Sequence, residues 1–225
     1  GHISHYGEQN PDTAIKAITS VMGLPYQPRD SDYTKKAEAA TKSFTVPRIG
    51  TLCPGCPHRA SLWAIKNALR LDGRHGFGTS DIGCYGAASG PTGYNITKTG
   101  YCMGGGAGVA TGFGKLGQFG FNQPVVAFSG DSTFYHAVIP ALINGVYNNS
   151  NFILAIFDNS ATSMTGFQPH PGTGRNAMGD PAKKISIEAI CRAIGARVEV
   201  RDPFDLEDTT ETLLDLIKDE SSGVR

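Results

Sequence analysis

The chain has 225 residues, with 20 basic and 20 acidic side chains and a formal net charge of zero, so it is long enough for one compact domain and lacks the basic excess typical of nucleic-acid-binding proteins. No apolar run approaches the roughly 18 residues that a membrane-spanning helix needs. No export signal opens the sequence, and we expect a cytoplasmic protein.

The first 50 residues carry the weakest pattern and predict an N-terminal connector that is partly irregular. A short helix is predicted from Asp12 to Met22, with its isoleucines on one face. The stretch 23–47 contains prolines and many polar residues, which favour a connecting segment. The sequence therefore predicts a domain over residues 51–225 that follows this connector.

The next segment combines a turn, a helix and glycine-rich loops. A Pro–Gly turn over residues 53–58 precedes a helix predicted over 59–71, which Gly73 should end. Residues 79–93 are predicted as a loop, and residues 103–116 as a helix of small side chains. The chain holds 29 glycines, nearly twice the usual share of about 7%, and many fall in this segment. Such use of glycine is typical of a backbone that approaches a ligand closely.

The second half has the rhythm of an α/β fold. Two apolar runs of strand length, residues 124–129 and 151–157, are separated by a helix predicted over residues 133–147. Continuous apolar strands joined by a crossover helix indicate a parallel sheet that is covered on both faces. We therefore predict a doubly wound, mostly parallel α/β sheet with helices on both faces.

Three further elements are predicted towards the C-terminus. Apolar positions over residues 187–194 share one helical stripe, which Gly195 should stop. Residues 196–200 alternate like a strand. Asp205 is expected to cap a last helix that turns Leu206 and further leucines inward.

Polar side chains follow both apolar strands where each strand is predicted to end. Asp131 follows the first, and Asn159 follows the second after one β–α–β crossover. Because adjacent parallel strands end at the same edge of a sheet, we expect carboxylate and carboxamide oxygens side by side, and these are ligands that Mg²⁺ prefers. Backbone amides after Gly130 add an anion site. A carboxylate beside a phosphate requires a bridging cation, so the pair predicts a Mg²⁺–diphosphate ligand.

Five motifs, taken together, resemble a known family. They are Cys53-Pro-Gly-Cys-Pro-His-Arg59, Asp81-Ile-Gly-Cys-Tyr85, Cys102-Met-Gly-Gly105, Gly130-Asp-Ser-Thr-Phe-Tyr-His-Ala137 and Met164-Thr-Gly-Phe-Gln-Pro-His-Pro-Gly-Thr-Gly174. These motifs are similar to those of the thiamine-diphosphate-binding domain in the large (alpha) subunit of indolepyruvate:ferredoxin oxidoreductase, over residues 52–219. The resemblance implies the diphosphate-binding domain of the thiamine diphosphate-binding fold.

The resemblance also implies a role for each matching position. Asp131 and Asn159 would hold Mg²⁺, with the carbonyl of Ala161 as a third protein ligand. The residues that would contact the cofactor, or shape and close its site, are Gly83, Cys84, Met103, Gly104, Gly130, Asp131, Ser132, Thr133, Asn159, Thr165 and Gly166. The sequence departs from the family pattern at Phe167, where we expect histidine, and has Ser132 where many thiamine enzymes have glycine.

Cysteines form a second candidate metal site. Cys53, Cys56 and Cys84 match positions that hold a [4Fe–4S] cluster in related 2-oxoacid:ferredoxin oxidoreductases, and Cys102 is the candidate fourth ligand. Cys-x-x-Cys spacing suits iron–sulfur or zinc, so an iron–sulfur cluster, zinc and no metal all stay open. Cys191 lies on an apolar helical stripe and is expected to be a small buried hydrophobe.

Two histidines are candidates for catalysis, and the site is expected to be shared. His58 follows the Cys-Pro-Gly-Cys turn and His136 follows the predicted Mg²⁺ loop, and a structural role stays open for each. In the related enzymes an activating glutamate lies on a separate pyrimidine-binding domain, for which the 225 residues contain no candidate. We therefore expect a hetero-oligomer in which a pyrimidine-binding domain or subunit supplies that glutamate, together with a small subunit of gamma or beta type.

The leading hypothesis is an oxidative enzyme. It would decarboxylate a 2-oxoacid, an aryl pyruvate such as indolepyruvate, on thiamine diphosphate, pass electrons through iron–sulfur centres to ferredoxin and transfer the acyl group to coenzyme A. Two alternatives stay open: a non-oxidative thiamine-diphosphate-dependent decarboxylase, and a non-catalytic module for metal binding or electron transfer.

Overall fold

The structure, a computed structural model, describes residues 10–27, 31–46, 50–219, 221 and 223–225. The chain divides into two compact units, residues 1–49 and residues 50–225. Parts of the predicted connector, residues 1–9, 28–30 and 47–49, lie outside the described residues.

The first unit contains two helices, α1 (Pro11–Met22) and α2 (Ser31–Phe44). The helix predicted at α1 is confirmed: the side chain of Asn10 caps it, and Gly23 ends it in the left-handed conformation with a φ of 67°. The stretch 23–47, predicted as a connecting segment, contains the helix α2, which was not predicted. Alanine, lysine and glutamate dominate α2, and these are strong helix formers; the prolines lie before and after the helix and do not interrupt it.

The second unit is built on a sheet of four parallel strands, which lie in the order β2-β1-β3-β4. The strands are β1 (Phe77–Ser80), β2 (Thr97–Gly100), β3 (Val125–Gly130) and β4 (Ile153–Phe157). The predicted parallel pairing of the two apolar strands is confirmed, because β3 and β4 are neighbours from Val126 opposite Ile153 to Gly130 opposite Phe157. The carboxyl ends of β3 and β4 therefore lie side by side.

The helices of the second unit lie before, between and after these strands. They are α3 (Pro57–Asp72), α4 (Gly105–Phe113), α5 (Asp131–Thr133), a π-helical segment (Phe134–Val138), α6 (Ile139–Tyr147), α7 (Ile187–Ile194) and α8 (Leu206–Lys218). Short 3₁₀ segments lie at Cys84–Ser89, Pro91–Gly93 and Leu116–Phe119. In the described part of the chain, no helix combines the length and the apolar character needed to cross a membrane.

The central strand β3 packs on both of its faces. Val126 and Phe128 belong to a core with α3 and α8, whereas Val125 and Ala127 belong to a core with α4 and α6. Successive side chains of a strand point to opposite faces, so both faces of the sheet are covered by helices. The predicted doubly wound architecture is confirmed.

Several local predictions need correction. The prediction of a loop over residues 79–93 is wrong at its start, where β1 includes Ser80. It is also wrong over Cys84–Ser89 and Pro91–Gly93, which form 3₁₀ segments. Neither β1 nor β2 was predicted, since four residues that include glycine and threonine give no readable periodicity. Helix α3 begins at Pro57, which suits a first helical turn, and ends at Gly73 as predicted.

The C-terminal predictions are right for the helices and wrong for the strand. Asp205 caps α8 by accepting a hydrogen bond from the backbone of Asp208, but Leu206 is exposed instead of facing the core. Residues 196–200 form no strand. Residues 224 and 225 lie beside β4 in their place. There, Arg225 accepts a hydrogen bond from the amide of Leu154 at 2.7 Å.

Candidate cofactor and metal site

The ends of β3 and β4 bring two polar segments together. Asp131 follows Gly130 at the end of β3, and Asn159 lies two residues after Phe157, the last residue of β4. The backbone amide of Asn159 donates to Oδ2 of Asp131 at 3.2 Å. The structure thus places the predicted metal-binding pair at one edge of the sheet.

The Asp131 carboxylate lies at the centre of a buried hydrogen-bond network. Its residue is only 3% exposed. Oδ1 accepts from the amide of Ser132 at 2.7 Å, whereas Oδ2 faces three nitrogens, the amides of Asn159 and Ala161, both at 3.2 Å, and Nε2 of His170 at 3.1 Å. Residues Asp131, Asn159, Ala161 and His170 are called the Asp131 cluster below. The two carboxylate oxygens therefore differ: Oδ2 is crowded and Oδ1 keeps an open acceptor position.

The carboxamide of Asn159 is oriented by its own contacts. Its Nδ2 donates to Oγ of Ser163 at 2.8 Å, and its Oδ1 accepts from the amide of Ala161 at 3.3 Å. The hydroxyl of Thr162 donates to that of Ser132 at 2.9 Å. The loop after β4 is therefore tied to α5 through both side chains and backbone.

The oxygens of this cluster suit a hard divalent cation. A carboxylate, a carboxamide oxygen and the carbonyl of Ala161 lie within a segment joined by the hydrogen bonds given above. Mg²⁺ takes oxygen ligands and keeps several positions for water and phosphate oxygens. The donor set of this structure therefore fits Mg²⁺ with a diphosphate.

A second buried carboxylate lies beside the cofactor loops, and the sequence analysis assigned it no role. Asp81 follows β1 and accepts hydrogen bonds from the hydroxyl of Tyr85 and, at 2.9 Å, from the amide of Gly104. Burial raises the pKa of the Asp81 carboxyl, although these hydrogen bonds oppose the shift. Burial also raises the pKa of the Tyr85 hydroxyl, with Asp81 acting in the same direction. Asp81 thus joins the loop before Tyr85 to the start of α4.

Three of the predicted cofactor-binding glycines are also required by packing. A Cβ at Gly83 would lie 2.4 Å from the ring of Tyr85, and one at Gly130 would lie 3.1 Å from it. A Cβ at Gly104, whose φ is 78°, would lie 2.5 Å from the Cβ of Ala137. The expectation was that these glycines admit a ligand; the structure adds that Tyr85 and Ala137 already exclude larger side chains there.

The remaining predicted cofactor contacts fall into buried and exposed groups. Thr133 is buried in α5, while Met103 is exposed next to Gly104. Thr165 and Gly166 lie in an exposed turn, which is closed by a hydrogen bond between the amide of Thr162 and the carbonyl of Gln168. Phe167, where histidine was expected, is also in this turn and is 75% exposed.

The two candidate catalytic histidines lie in different surroundings. His58 is 6% exposed and stacks on Phe157 with ring centroids 5.2 Å apart. Burial lowers the pKa of His58, while the charge of Asp131 raises it. His136 is exposed and lies in the π-helical segment after α5. The structure therefore gives His58 a buried position against Phe157 and His136 a position on the surface.

The candidate iron–sulfur ligands, called the cysteine group below, are Cys53, Cys56, Cys84 and Cys102. Cys56 and Cys84 are partly buried and pack against the same hydrophobic core, and burial raises the pKa of the Cys84 thiol. Cys53 and Cys102 are exposed. Within the described residues, no three or more His, Cys, Asp or Glu side chains are arranged to hold a metal ion.

Cys191 differs from the cysteine group. It lies on α7 in a hydrophobic core and is 5% exposed. Burial raises the pKa of its thiol to about 11. The prediction of a small buried hydrophobe is confirmed.

A cavity of about 590 Å³ lies along β4. Its wall includes His58, Tyr135, Asp158 and Gly172 together with residues of β4, α7 and α8. No residue of the Asp131 cluster lines it among the described residues, and Asp158 is the lining residue nearest in sequence to that cluster.

The chain is similar to a known protein family and to individual relatives. The family model described as thiamine pyrophosphate enzyme, C-terminal TPP binding domain, matches residues 81–224. The indolepyruvate oxidoreductase subunit IorA of Methanothermobacter thermautotrophicus is 40% identical over 228 residues, covering 100% of this chain and 35% of the relative. The subunit of the same name from Archaeoglobus fulgidus is 39% identical, covering 95% of this chain and 33% of the relative. The chain thus spans about a third of the length of these relatives.

Solved structures show the same fold at low sequence identity. A 2-oxoglutarate:ferredoxin oxidoreductase from Magnetococcus marinus, with 2-oxoglutarate, coenzyme A and succinyl-CoA bound, aligns with a TM-score of 0.63 and 19% identity over 81% of this chain and 65% of that one. Benzoylformate decarboxylase from Polynucleobacter necessarius aligns with a TM-score of 0.50 and 15% identity over 94% of this chain and 38% of that one. Both confirm an α/β fold of the thiamine-diphosphate-binding type.

Proposed function

Because the chain belongs to the thiamine pyrophosphate enzymes through their C-terminal TPP-binding domain, we propose that it binds Mg²⁺ and the diphosphate of thiamine diphosphate and contributes this site to an indolepyruvate-type 2-oxoacid:ferredoxin oxidoreductase. The observation that carries the proposal is the Asp131 cluster. It combines one buried carboxylate with the carboxamide and carbonyl oxygens that follow the adjacent strand. The similarity to IorA subunits supports the choice of substrate.

Some atoms of the Asp131 cluster are proposed to bind Mg²⁺, and others orient those ligands. Oδ1 of Asp131, the side-chain oxygen of Asn159 and the carbonyl of Ala161 are the proposed ligands. Oδ2 of Asp131 already faces three nitrogens, which fixes the orientation of the carboxylate. Such hydrogen bonds to a ligating carboxylate orient it and tune the metal.

The other site residues bind and orient the cofactor. Ser132, Thr133 and Gly130 are proposed to lie against the diphosphate, and Thr165 with Gly166 to cover it. Gly83, Cys84, Met103 and Gly104 are proposed to lie near the thiazolium ring, in loops that Asp81 joins. When bound, thiamine diphosphate supplies the electron sink for decarboxylation of a 2-oxoacid.

His58 and His136 are the proposed candidates for contact with the substrate. His58 borders the cavity along β4, and burial lowers its pKa, so the neutral imidazole is favoured there. A neutral imidazole can accept a proton on one nitrogen and donate from the other. His136 is exposed, and a role for it requires a surface that a partner would cover.

Partners are part of the proposal, because a thiamine enzyme of this kind needs an activating glutamate from a pyrimidine-binding domain or subunit. The named relatives are themselves subunits, which supports a hetero-oligomer with a small gamma- or beta-type subunit. The 2-oxoacid, coenzyme A and ferredoxin are the proposed reaction partners. All five cysteines are free thiols, which is typical of a reducing compartment, and we propose a cytoplasmic location.

The described cysteines do not by themselves complete a [4Fe–4S] site. Cys56 and Cys84 pack against the same hydrophobic core, but within the described residues no three or more His, Cys, Asp or Glu side chains are arranged to hold a metal ion. We therefore assign no electron-transfer step to these cysteines, and a cluster held by Cys53, Cys56, Cys84 and Cys102 stays a proposal.

A second candidate function is that of a non-oxidative thiamine-diphosphate-dependent decarboxylase, and the fold shared with benzoylformate decarboxylase supports it. Such an enzyme needs the Asp131 cluster but no cysteine-bound cluster. It would release carbon dioxide and an aldehyde from the 2-oxoacid, without an electron acceptor or coenzyme A.

Titration of thiamine diphosphate into the protein in its native assembly, with and without Mg²⁺, tests the binding site. Saturable binding that disappears on chelation of the metal is expected, and absence of binding with Mg²⁺ present would contradict the proposal. Turnover of indolepyruvate then distinguishes the two functions. Formation of a coenzyme A ester with reduction of ferredoxin supports the first, and release of an aldehyde without any acceptor supports the second.

A further inference from the structure

His170 lies in the long loop between β4 and α7 and reaches back to the Asp131 carboxylate. Its Nε2 is 3.1 Å from Oδ2 of Asp131, and both side chains are only 4% exposed. The sequence analysis gave His170 no ligand role. A buried imidazole aimed at the carboxylate of a proposed metal ligand therefore calls for a chemical explanation.

The hydrogen bonds of His170 assign its tautomer. Nδ1 of His170 accepts a hydrogen bond from the backbone amide of Gly172 at 3.0 Å. Because an accepting ring nitrogen carries no proton, the proton of the neutral imidazole is on Nε2. Nε2–H therefore donates to Asp131, and Asp131 stays the acceptor.

The packing around His170 holds the ring in this position. Its ring centroid lies 5.4 Å from that of Tyr135, whose hydroxyl donates to the carbonyl of Ile185 at 2.6 Å. A Cβ at Gly172 would lie 2.6 Å from the Tyr135 hydroxyl and 3.0 Å from Cε1 of His170. The absence of a side chain at Gly172 thus allows the loop to bring the imidazole to the carboxylate.

We propose that His170 is a positioning residue for the metal site: its Nε2–H holds Oδ2 of Asp131, so that Oδ1 is presented to Mg²⁺. The other donors to Oδ2 are backbone amides, which a side-chain substitution other than one to proline leaves in place. His170 is the side-chain donor to that oxygen, so its substitution isolates the effect of orientation on metal affinity. The inference rests on the proposed binding of Mg²⁺ and thiamine diphosphate.

The effect expected is on metal affinity, beyond any effect on folding. Loss of outer partners of metal ligands typically costs about 10- to 100-fold in metal affinity. A residue that only packs the loop would change stability and leave the affinity for the metal unchanged. Metal binding is therefore the readout that separates the two roles.

The experiment measures Mn²⁺ binding by electron paramagnetic resonance, on the protein in its native assembly with saturating thiamine diphosphate. His170→Phe keeps a ring against Tyr135 but has no donor, and it should weaken Mn²⁺ binding by about 10- to 100-fold. His170→Gln keeps an N–H donor and should recover part of the affinity. His75→Asn removes an exposed imidazole at a position with a φ of 55°, which asparagine tolerates, and should bind Mn²⁺ like the wild type.

Each outcome is decisive. Wild-type affinity in His170→Phe, with Mn²⁺ and cofactor bound normally by the unmodified protein, would overturn the role of His170 and leave the proposed function standing. Failure of the unmodified protein to bind Mn²⁺ with the cofactor would overturn the proposed function together with this inference. If His170→Phe does not fold, ¹⁵N NMR of the metal-free protein decides: a proton on Nε2 is expected, and a proton on Nδ1 would overturn the proposal.

Discussion

The Asp131 cluster and the cysteine group are two candidate metal sites that differ in how firmly their candidate ligands are held in place. The Asp131 carboxylate is 3% exposed and is held by backbone and side-chain donors. In the cysteine group, Cys53 and Cys102 are exposed, and among the residues that the structure describes its thiols form no group of three that could hold a metal ion. The first site is preorganised by the sheet itself, whereas the second depends on loops.

The difference follows from what positions each site. The ladder between β3 and β4 runs to its last pair, Gly130 opposite Phe157, so the residues just beyond the strands have little freedom. The turn before α3 and the 3₁₀ segment that begins at Cys84 have no such common ladder. A site at the end of paired strands can therefore form before its ligand arrives, and a site between loops needs the ligand or a partner to order it.

The largest effect is expected for substitution of the central carboxylate. Asp131→Asn keeps the size and one acceptor oxygen but removes the charge that Mg²⁺ requires. Affinity for thiamine diphosphate in the presence of Mg²⁺ should fall by more than the about 100-fold that loss of an outer partner costs. Calorimetric titration checks this, and Asp158→Asn, at an exposed neighbour, is the matched control. Equal affinity in Asp131→Asn and wild type would remove the contrast between the two metal sites.

A smaller effect is expected where the cofactor loops pack on Tyr85. Gly83→Ala would place a Cβ 2.4 Å from the tyrosine ring, so the ring must move away from Asp81, at a cost of about 1–3 kcal/mol in the free energy of unfolding. Gly108→Ala in α4 has nothing within 4 Å and should stabilise the helix by up to about 1 kcal/mol. Urea denaturation of both variants tests this. A neutral Gly83→Ala would mean that packing on Tyr85 does not constrain the loop.

The buried Asp81 predicts a dependence of stability on pH. Burial raises the folded-state pKa of its carboxyl above the ordinary value of 3.8, so the protonated form is favoured by folding. The stabilisation from this group is therefore complete below pH 3.8 and is lost as the pH rises through the raised pKa. Relative to Asp81→Asn, which does not titrate, the wild type should lose stability over that interval and run parallel above it. Urea denaturation at several pH values measures the difference, and a constant difference would contradict the burial effect.

The smallest effect is expected at Cys102. It is exposed, whereas Cys56 and Cys84 pack against the same hydrophobic core, so Cys102→Ser should change metal content less than Cys56→Ser. Iron, sulfide and zinc analysis of the purified native assembly gives the comparison. If both variants lose the same amount of metal, Cys102 is a ligand after all and the cysteine group closes in the native assembly.

Sequence alone predicted the part of the site that depends on strand spacing. One β–α–β crossover places Asp131 and Asn159 at neighbouring strand ends, and the apolar runs mark those strands clearly. The sequence did not predict His170 as a partner of Asp131. His170 lies in an irregular loop, which lacks the regular spacing of apolar residues that indicates a contact. The Pro-His-Pro-Gly pattern around it was the available signal, since it marks a rigid loop around a histidine.

The parts of the fold that were missed have a related cause. β1 and β2 are four residues long and are stabilised by their neighbours in the sheet, so local pattern identifies neither. α2 was missed because flanking prolines outweighed the helix formers between them. Residues 196–200 alternate like a strand, and among the described residues one backbone hydrogen bond, from Arg197 to Val224, joins them to residues 223–225. Tertiary context therefore decided β1, β2 and residues 196–200, whereas local sequence explains α2.

The most direct test of the central claim is the position of a metal in crystals grown with thiamine diphosphate and Mn²⁺. Anomalous scattering should place one Mn²⁺ against Oδ1 of Asp131, the side-chain oxygen of Asn159 and the carbonyl of Ala161, with Oδ2 of Asp131 still bonded to His170. A metal bound elsewhere, or a cofactor bound with no metal at the Asp131 cluster, would contradict the claim that the ends of β3 and β4 form the Mg²⁺–diphosphate site.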